Sequence, residues 1–333
     1  MKAFVELRRA LFVVVLGAMV GCFAFGFRES AIALTELLTG EAGAIRAAAA
    51  LAPWQRALLA GGTVVVAWVV ARTAVRLGKG RLGLSRLASS ARGSGEPPSL
   101  PVTLLHSLST WLVTVGVLSI GRESAIIETG GSMGACAVRN DSQRRPSMIA
   151  AGVAAAFAAA YHAPFSAVAY VEEHIGIRSS VRSLMYAVLG SASGVATVTL
   201  LFEGSAVLPG LDRLDGRVVG LAAIGVLPAI VASLAFRVAR ERFPKPETPR
   251  LGPAQVVAAA VAIGAVVLVP NVAGNGLEAL RVAADHPSVS LALTLMLLKL
   301  VATTSLMHAG VPGGVFSPSL AVGAGAALAT LFA

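Results

Sequence analysis

Charged residues are scarce in this sequence. Asp, Glu, Lys and Arg make up 13% of its 333 residues, about half of the roughly 25% that soluble domains carry. Apolar residues make up 56%. A chain with so few charges is not a soluble globular protein. Its apolar runs are continuous rather than alternating, which favours membrane-spanning helices over a barrel.

Cysteine and histidine are scarce too. The two cysteines, Cys22 and Cys136, lie in apolar surroundings, which excludes a disulfide framework or a cysteine-rich metal site. His106, His286 and His308 lack ligand-like spacing, so we interpret them as structural. We therefore expect neither a metal nor another cofactor.

Acidic residues are fewer than basic ones, and the formal net charge is +10. The basic residues fall in short loops beside apolar runs, as the positive-inside rule requires. They therefore place those loops in the cytoplasm and do not indicate nucleic-acid binding. A basic start before an apolar run would also suit a signal peptide, but no soluble domain follows it. The three basic groups are Lys2, Arg8 and Arg9; Arg72, Arg76, Lys79, Arg81, Arg86 and Arg92; and Arg237, Arg240, Arg242, Lys245 and Arg250.

Several apolar segments are too short to cross a bilayer. Segments 124–138, 148–160 and 163–175 fall below the roughly 20 residues that span about 30 Å. Short helices interrupted by Gly or Pro are typical of transporters whose broken helices meet at a midplane site. We predict an all-α, polytopic fold with broken, tilted helices.

A weak internal sequence repeat predicts an inverted-repeat architecture. A small-residue turn followed by a broken-helix start occurs at 93–97 with Gly121, and again at 274–277 with Gly313. We expect a single transmembrane domain over 1–333, with a first repeat at about 1–205 and a second, incomplete repeat at about 206–333. No cytoplasmic domain is expected.

Two helix starts carry the functional argument: Gly121-Arg122-Glu123-Ser124-Ala125 and Gly313-Gly314-Val315-Phe316-Ser317-Pro318. A helix that begins inside a membrane leaves about four backbone N–H groups without intrahelical partners, and its N-terminus carries about half a positive charge. In hydrocarbon the natural occupant of that position is an anion. The sequence therefore predicts an anion pathway.

Glu123 adds a titratable group to the first helix start. Its carboxylate caps the helix, or it occupies the position of the anion and leaves on protonation; the two roles are compatible. Glu128, further along the same helix, is interpreted as pairing with a basic group or tuning Glu123. Lys299, within an apolar segment, is expected to snorkel to the interface or to pair with an acid.

Three further segments have open interpretations. Glu172-Glu173-His174 forms either a solvated helix end or a cytoplasmic proton entry, and only one of the two acids is expected to face the interior. Gly93-Ser94-Gly95 is either a flexible loop or an anion contact through the Ser94 hydroxyl. Gly130-Gly131-Ser132-Met133-Gly134 matches the G-x-S-x-G pattern of hydrolases. It lacks a preceding strand and a triad order, so helix packing is favoured.

In their order, these segments resemble the signatures of the CLC family of chloride channels and proton/chloride antiporters. The family's GSGIP is matched by Gly93-Ser94-Gly95-Glu96-Pro97, its G(K/R)EGP by 121–125, and its GxFxP by 314–318. Segment 163–173 is similar to the family's helix that ends in paired glutamates, and 270–276 to its glycine-rich turn. The order and approximate spacing hold from about residue 90 to the end.

The resemblance implies a homodimer in a bacterial inner membrane, with one pore in each subunit. Glu123 would gate the outer side and transfer protons, and Glu173 would be the internal proton acid, a position where family channels usually carry an apolar residue. The central anion would contact the Ser94 hydroxyl and two backbone N–H groups. The implied anion-binding residues are Gly93, Ser94, Gly95, Gly121, Arg122, Gly314, Val315 and Phe316.

The chain departs from the family pattern in several places. Ser124 and Ala125 replace the usual Gly and Pro, and Glu96 replaces an apolar residue. The short stretch between the first two signatures predicts that one helix is trimmed or merged. Family members continue with further helices, one of which carries a tyrosine that contacts the central anion, and no residue here corresponds to it.

Proton-coupled chloride antiport is therefore the predicted function. A passive voltage- or pH-gated chloride channel is the first alternative, and a truncated or non-transporting membrane protein of this family is the second. An enzyme is not expected. The predicted partners are chloride or a similar small anion, protons and membrane lipid.

Overall fold

The computed structural model describes residues 2–80, 82–176, 180–202, 216–246, 249 and 252–333. Those residues are mainly helical and contain no β-strand. The helices are α1 Lys2–Thr39, α2 Ala44–Ala50, α3 Pro53–Leu77, α4 Leu84–Ala91, α5 Leu100–Val115, α6 Glu123–Ala137, α7 Arg145–Tyr161, α8 Pro164–Ile175, α9 Val181–Phe202, α10 Gly216–Arg242, α11 Pro253–Leu268, the 3₁₀ turn Pro270–Val272, α12 Leu277–Asp285, α13 Val289–His308 and α14 Phe316–Phe332.

Long apolar helices confirm the prediction of a polytopic, all-helical membrane protein. Within the described residues, five helical stretches are long and apolar enough to cross a bilayer. A single helix, α5, lies between the first two signature segments, in line with the short spacing there. The five stretches are Phe4–Ala50, Pro53–Leu77, Val181–Phe202, Gly220–Arg242 and Val289–His308.

The helices predicted to be short are short. Helices α6, α7 and α8 have 15, 17 and 12 residues, which at 1.5 Å per residue gives about 23, 26 and 18 Å. Proline in the first turn helps to start α7 at Pro146 and α8 at Pro164, because its missing N–H would have no intrahelical partner there. His162, in the left-handed conformation, ends α7 just before α8 begins.

The chain divides into two units, each with its own core. Unit 1 comprises 1–30, 73–107 and 123–207, and unit 2 comprises 31–72, 108–122 and 208–333. Helices α1, α3 and α5 each begin in one unit and end in the other. The repeat boundary near residue 205 stays a prediction.

Helix α7 is the centre of unit 1. All residues from Ser147 to Ala159 are buried, because alanine and glycine dominate this stretch and allow α6, α8 and α9 to pack closely against it. A Cβ atom added at Gly152 would overlap the carbonyl oxygen of Gly130 in α6. The glycines of the G-x-S-x-G segment therefore serve helix packing. Its serine, Ser132, is buried and hydrogen-bonded to the Thr103 hydroxyl, with 2.9 Å between the two oxygens.

In unit 2, packing around α14 and the glycine-rich turn positions the second helix start. Helix α14 packs against α10 and α13. One apolar cluster joins α10 to α14 and includes Phe236 and Val322. Another surrounds the glycine-rich turn and includes Val117, Val272 and Leu295. Helix α14 is thus held against α10 and α13, and Val315, at its start, packs on the first of these clusters.

Candidate functional site

The two predicted helix-start segments are hydrogen-bonded to each other. The Gly121 N–H donates to the Gly314 carbonyl at 2.9 Å, and the Gly314 N–H donates back to the Gly121 carbonyl at 2.6 Å. The two glycines form an isolated antiparallel bridge within unit 2. The structure therefore brings the second and third signatures together.

The two bridged segments share one backbone pattern. A single bend residue follows each bridge glycine, Arg122 in one segment and Val315 in the other, and the next residue begins a helix. Gly313 permits the close approach, because a Cβ atom there would overlap the side chain of Ile120. In an inverted repeat, corresponding segments have the same local structure and run in opposite directions, as these two segments do.

Glu123 is the first residue of α6 and is only 5% exposed. A carboxylate at this position interacts favourably with the N–H groups and the positive end of the helix dipole. An ionised carboxylate is expensive to bury in apolar surroundings, and protonation removes that cost. The carboxyl group of Glu123 is therefore buried at the start of a helix, as the sequence predicted.

The start of α14 presents backbone N–H groups next to the bridge. Its N-cap residue, Val315, has an apolar side chain and provides no side-chain cap. The first turn of a 17-residue helix carries partial positive charge from these N–H groups. An anion at this position would be stabilised by the backbone alone.

Ser94 lies in the turn that follows α4, in unit 1, and its side chain is exposed. The flanking glycines have φ angles of 82° at Gly93 and 124° at Gly95, which glycine adopts without strain. The neighbouring Arg92 donates through Nη1 to the carbonyl of Ile175, the last residue of α8, at 3.2 Å. The structure thus brings the first signature next to the helix that carries the acidic pair.

The two acids near the end of α8 differ in exposure. The side chain of Glu173 is 75% exposed, and its Oε2 lies 4.0 Å from Nδ1 of His174. Glu172 is half-buried. Consecutive helix residues are expected to differ in this way. The internal role assigned to Glu173 stays a prediction.

Glu128 belongs to a buried network that joins three helices of unit 1. Its Oε2 lies 2.9 Å from Nδ1 of His106 in α5, and its Oε1 accepts the N–H of Gly83, the N-cap of α4, at 2.7 Å. Glu128 is 3% and His106 is 8% exposed. Of the two interpretations of Glu128, pairing with a basic side chain agrees with this contact to His106. The sequence offered no signal for the partner, because the two residues lie 22 positions apart on different helices.

Two substitutions at Glu128 should distinguish its hydrogen bond with Gly83 from its contact with His106. We expect Glu128→Leu to lower stability by about 2–4 kcal/mol, because the half-buried Gly83 N–H and the buried His106 ring lose the carboxylate that they contact. Glu128→Gln keeps a carbonyl oxygen for Gly83 and should cost less. The melting temperature of the purified protein in detergent measures both effects. Equal melting temperatures for the two variants would contradict this account.

Lys299 is buried in α13 and does not snorkel, so that expectation was wrong: it is 2% exposed. Its Nζ donates to the carbonyls of Val272 at 2.9 Å, Ala273 at 3.3 Å and Gly274 at 2.5 Å. These carbonyls belong to the glycine-rich turn, in which a charged donor satisfies more acceptors than a neutral side chain would. Lys299 therefore anchors this turn to the centre of α13.

Removing the Lys299 ammonium should destabilise unit 2. We expect Lys299→Met to cost about 3–5 kcal/mol, because buried carbonyls of the turn lose a charged donor. Arg237→Met is the matched control, since Arg237 is exposed and its ion pair with Glu241 is solvated. Thermal unfolding in detergent should show a large fall for the first variant and almost none for the second.

The fold is that of a polytopic helical membrane protein in which two helix-start segments are hydrogen-bonded to each other. A family profile described as "Voltage gated chloride channel" matches residues 61–333. The chain belongs to this family.

Individual relatives agree with this assignment. The chain is 26% identical to the voltage-gated ClC-type chloride channel ClcB of Citrobacter koseri and of Shigella boydii, over 95% of this chain and 78% of theirs. Among solved structures, a slow cyanobacterial Cl⁻/H⁺ antiporter superposes with a TM-score of 0.74 at 19% identity, over 95% of this chain and 77% of that one. A CLC-type fluoride/proton antiporter superposes with a TM-score of 0.69 at 21% identity, over 96% and 80%. These likenesses confirm the CLC-like fold.

Proposed function

We propose that this chain transports chloride across the membrane in exchange for protons. The observation that carries the proposal is the Gly121–Gly314 bridge, which pairs two helix-start segments, together with a buried glutamate at the start of α6. An anion and the Glu123 carboxylate both favour a helix N-terminus. Because they compete for similar positions, protonation of Glu123 and entry of an anion become linked.

The anion site that we propose uses backbone more than side chains. The N–H groups of Val315 and Phe316, in unit 2, would hold chloride. The Ser94 hydroxyl, in unit 1, is proposed separately as an anion contact. The glycines at 93, 95, 121 and 314 permit close backbone approach, and Arg122 adds positive charge beside Glu123. Backbone donors recognise charge and size, which suits a monatomic anion.

The proton route that we propose uses two acids. Glu123 would exchange protons at the outer side, and Glu173, at the end of α8, would receive them from the cytoplasm. The hydrogen bond from Arg92 to Ile175 supports this assignment, because it ties the acidic end of α8 to the turn that carries Ser94. Chloride and protons would then enter from the cytoplasm at neighbouring positions.

We further propose that the protein works as a homodimer in a bacterial inner membrane and has no enzymatic activity. A passive chloride channel is the second candidate, favoured by the description of the family and the names of the ClcB relatives. A channel and an antiporter differ in one property. Only the antiporter can move protons against their electrochemical gradient.

Purified protein in liposomes tests the proposal. An inward chloride gradient is imposed with equal pH on both sides, and potassium with valinomycin holds the membrane potential near zero. Coupled exchange predicts net outward proton movement, which a pH indicator reports. Chloride flux without proton movement would establish the channel instead. Absence of both fluxes would identify a non-transporting protein.

A further inference from the structure

A groove runs beside the first turns of α1 in unit 1. It is lined by α1, the end of α6, the turn into α7 and the early parts of α7 and α9, and its volume is about 620 Å³. Leu11, Phe12 and Val15 form its apolar wall on α1, where Val15 follows Phe12 by three residues and Leu11 by four, the spacings that place side chains on one helix face. Ala137, at the end of α6, lies on the opposite wall and is exposed.

The charged residues that line this groove are all basic, and on α1 they lie between Phe4 and Val5 on one side and Leu11 and Phe12 on the other. Arg8, Arg9 and Arg144 line it, and no acid is among its described lining residues. Arg9 pairs with Glu6, and Arg144 pairs with Asp141 at 3.0 Å. Arg8 is exposed and forms no ion pair within the described residues. One guanidinium therefore stays uncompensated at the mouth of an apolar channel.

Two of the arginines lie near the start of a helix that is long and apolar enough to cross a bilayer. Arg8 and Arg9 lie near the N-terminal end of α1, about one helical turn before Leu11 and Phe12, and the apolar wall continues along the helix. The positive-inside rule places this end in the cytoplasm. The cytoplasmic leaflet carries the anionic lipids, and basic pockets between helices on that side suit their head groups.

We infer that this groove binds an anionic phospholipid of the cytoplasmic leaflet. Its phosphate lies against Arg8 and Arg144, and one acyl chain fills the groove along Leu11, Phe12 and Val15. Long arginine side chains reach such phosphates while their stems stay on apolar surface. The site is independent of the transport mechanism, and its occupant is recognised by the charge of the arginines and by the apolar shape of the groove along Leu11, Phe12 and Val15.

Native mass spectrometry of the purified protein tests this site. Phosphatidylglycerol and phosphatidylcholine with identical acyl chains are compared in the same detergent. We expect phosphatidylglycerol to be retained preferentially. In the double variant Arg8→Gln/Arg144→Gln, its binding should weaken by roughly tenfold or more, because each basic residue near the surface adds to the attraction. The matched control is Arg237→Gln/Arg240→Gln, which removes two exposed arginines from α10 and should leave binding unchanged.

A second variant tests the apolar groove independently of the charge on its arginines. Ala137→Trp fills the channel and keeps all three arginines, and it should also abolish preferential binding. Retention of phosphatidylglycerol by Ala137→Trp would show attraction to the surface only and would overturn the site. Equal binding of the two lipids to the wild type would likewise overturn it. The site would also be overturned if a second copy of the chain occupied the groove. In that case Ala137→Trp would remove a dimer from the mass spectrum and leave lipid binding unchanged.

Discussion

In liposomes, Glu123→Gln should abolish chloride-driven proton transport and leave chloride flux in place. Glutamine preserves the size of the side chain and its hydrogen-bonding oxygen at the start of α6, but it cannot take up or release a proton at this site. The loss should be about a hundredfold or more, the scale of a positioned proton-transfer group. Chloride flux should also lose its dependence on pH, since no carboxylate competes with the anion.

Glu128→Gln is the matched control for this experiment. It makes the same change on the same helix at a similarly buried position, 3% exposed against 5% for Glu123. Its proton coupling should persist, because Glu128 is engaged with Gly83 and His106. If Glu123→Gln kept the pH dependence of the wild type, the assignment of Glu123 as the gate would be wrong.

Glu173→Ala should remove proton transport while chloride still crosses the membrane. The alanine side chain cannot carry a proton from the cytoplasm, so exchange becomes passive chloride flux. We again expect a fall in proton flux of about a hundredfold. The same liposome assay, with chloride and protons measured in parallel, reports the ratio of the two fluxes.

Glu172→Ala is the neighbouring control, and it resolves a choice that the exposure of the two acids leaves open. Glu172 is half-buried whereas Glu173 is exposed. Loss of proton flux in Glu172→Ala alone would assign the internal acid to Glu172. Normal proton flux in both variants would mean that neither acid carries protons.

Residues close together in the sequence were the most predictable part of the site. The helix starts after Gly121 and Gly314 were found from glycine beside apolar runs, because local chain chemistry decides where a helix can begin. The short lengths of α6, α7 and α8 followed in the same way from the extent of the apolar segments. Glu123 was identified because an acid is costly within an apolar membrane segment, and such residues are functional candidates by default.

Partners distant in the sequence were not predictable. His106 was interpreted only as structural, and its pairing with Glu128 depends on how α5 packs against α6. Lys299 was expected to reach water or an acid, but α13 lies against the glycine-rich turn and offers it backbone carbonyls instead. Hydrophobic periodicity carries no information about which helices become neighbours, so these contacts required the tertiary structure.

The sequence by itself determined that this is a helical membrane protein with two broken-helix starts, because composition, segment length and glycine placement act locally along the chain. Its signatures also indicated the family to which it belongs. Only the tertiary structure decided that Gly121 and Gly314 bond to each other. It also decided that an arginine-lined groove forms beside α1. Both features join segments far apart in the sequence, and close packing of whole helices selects such pairs.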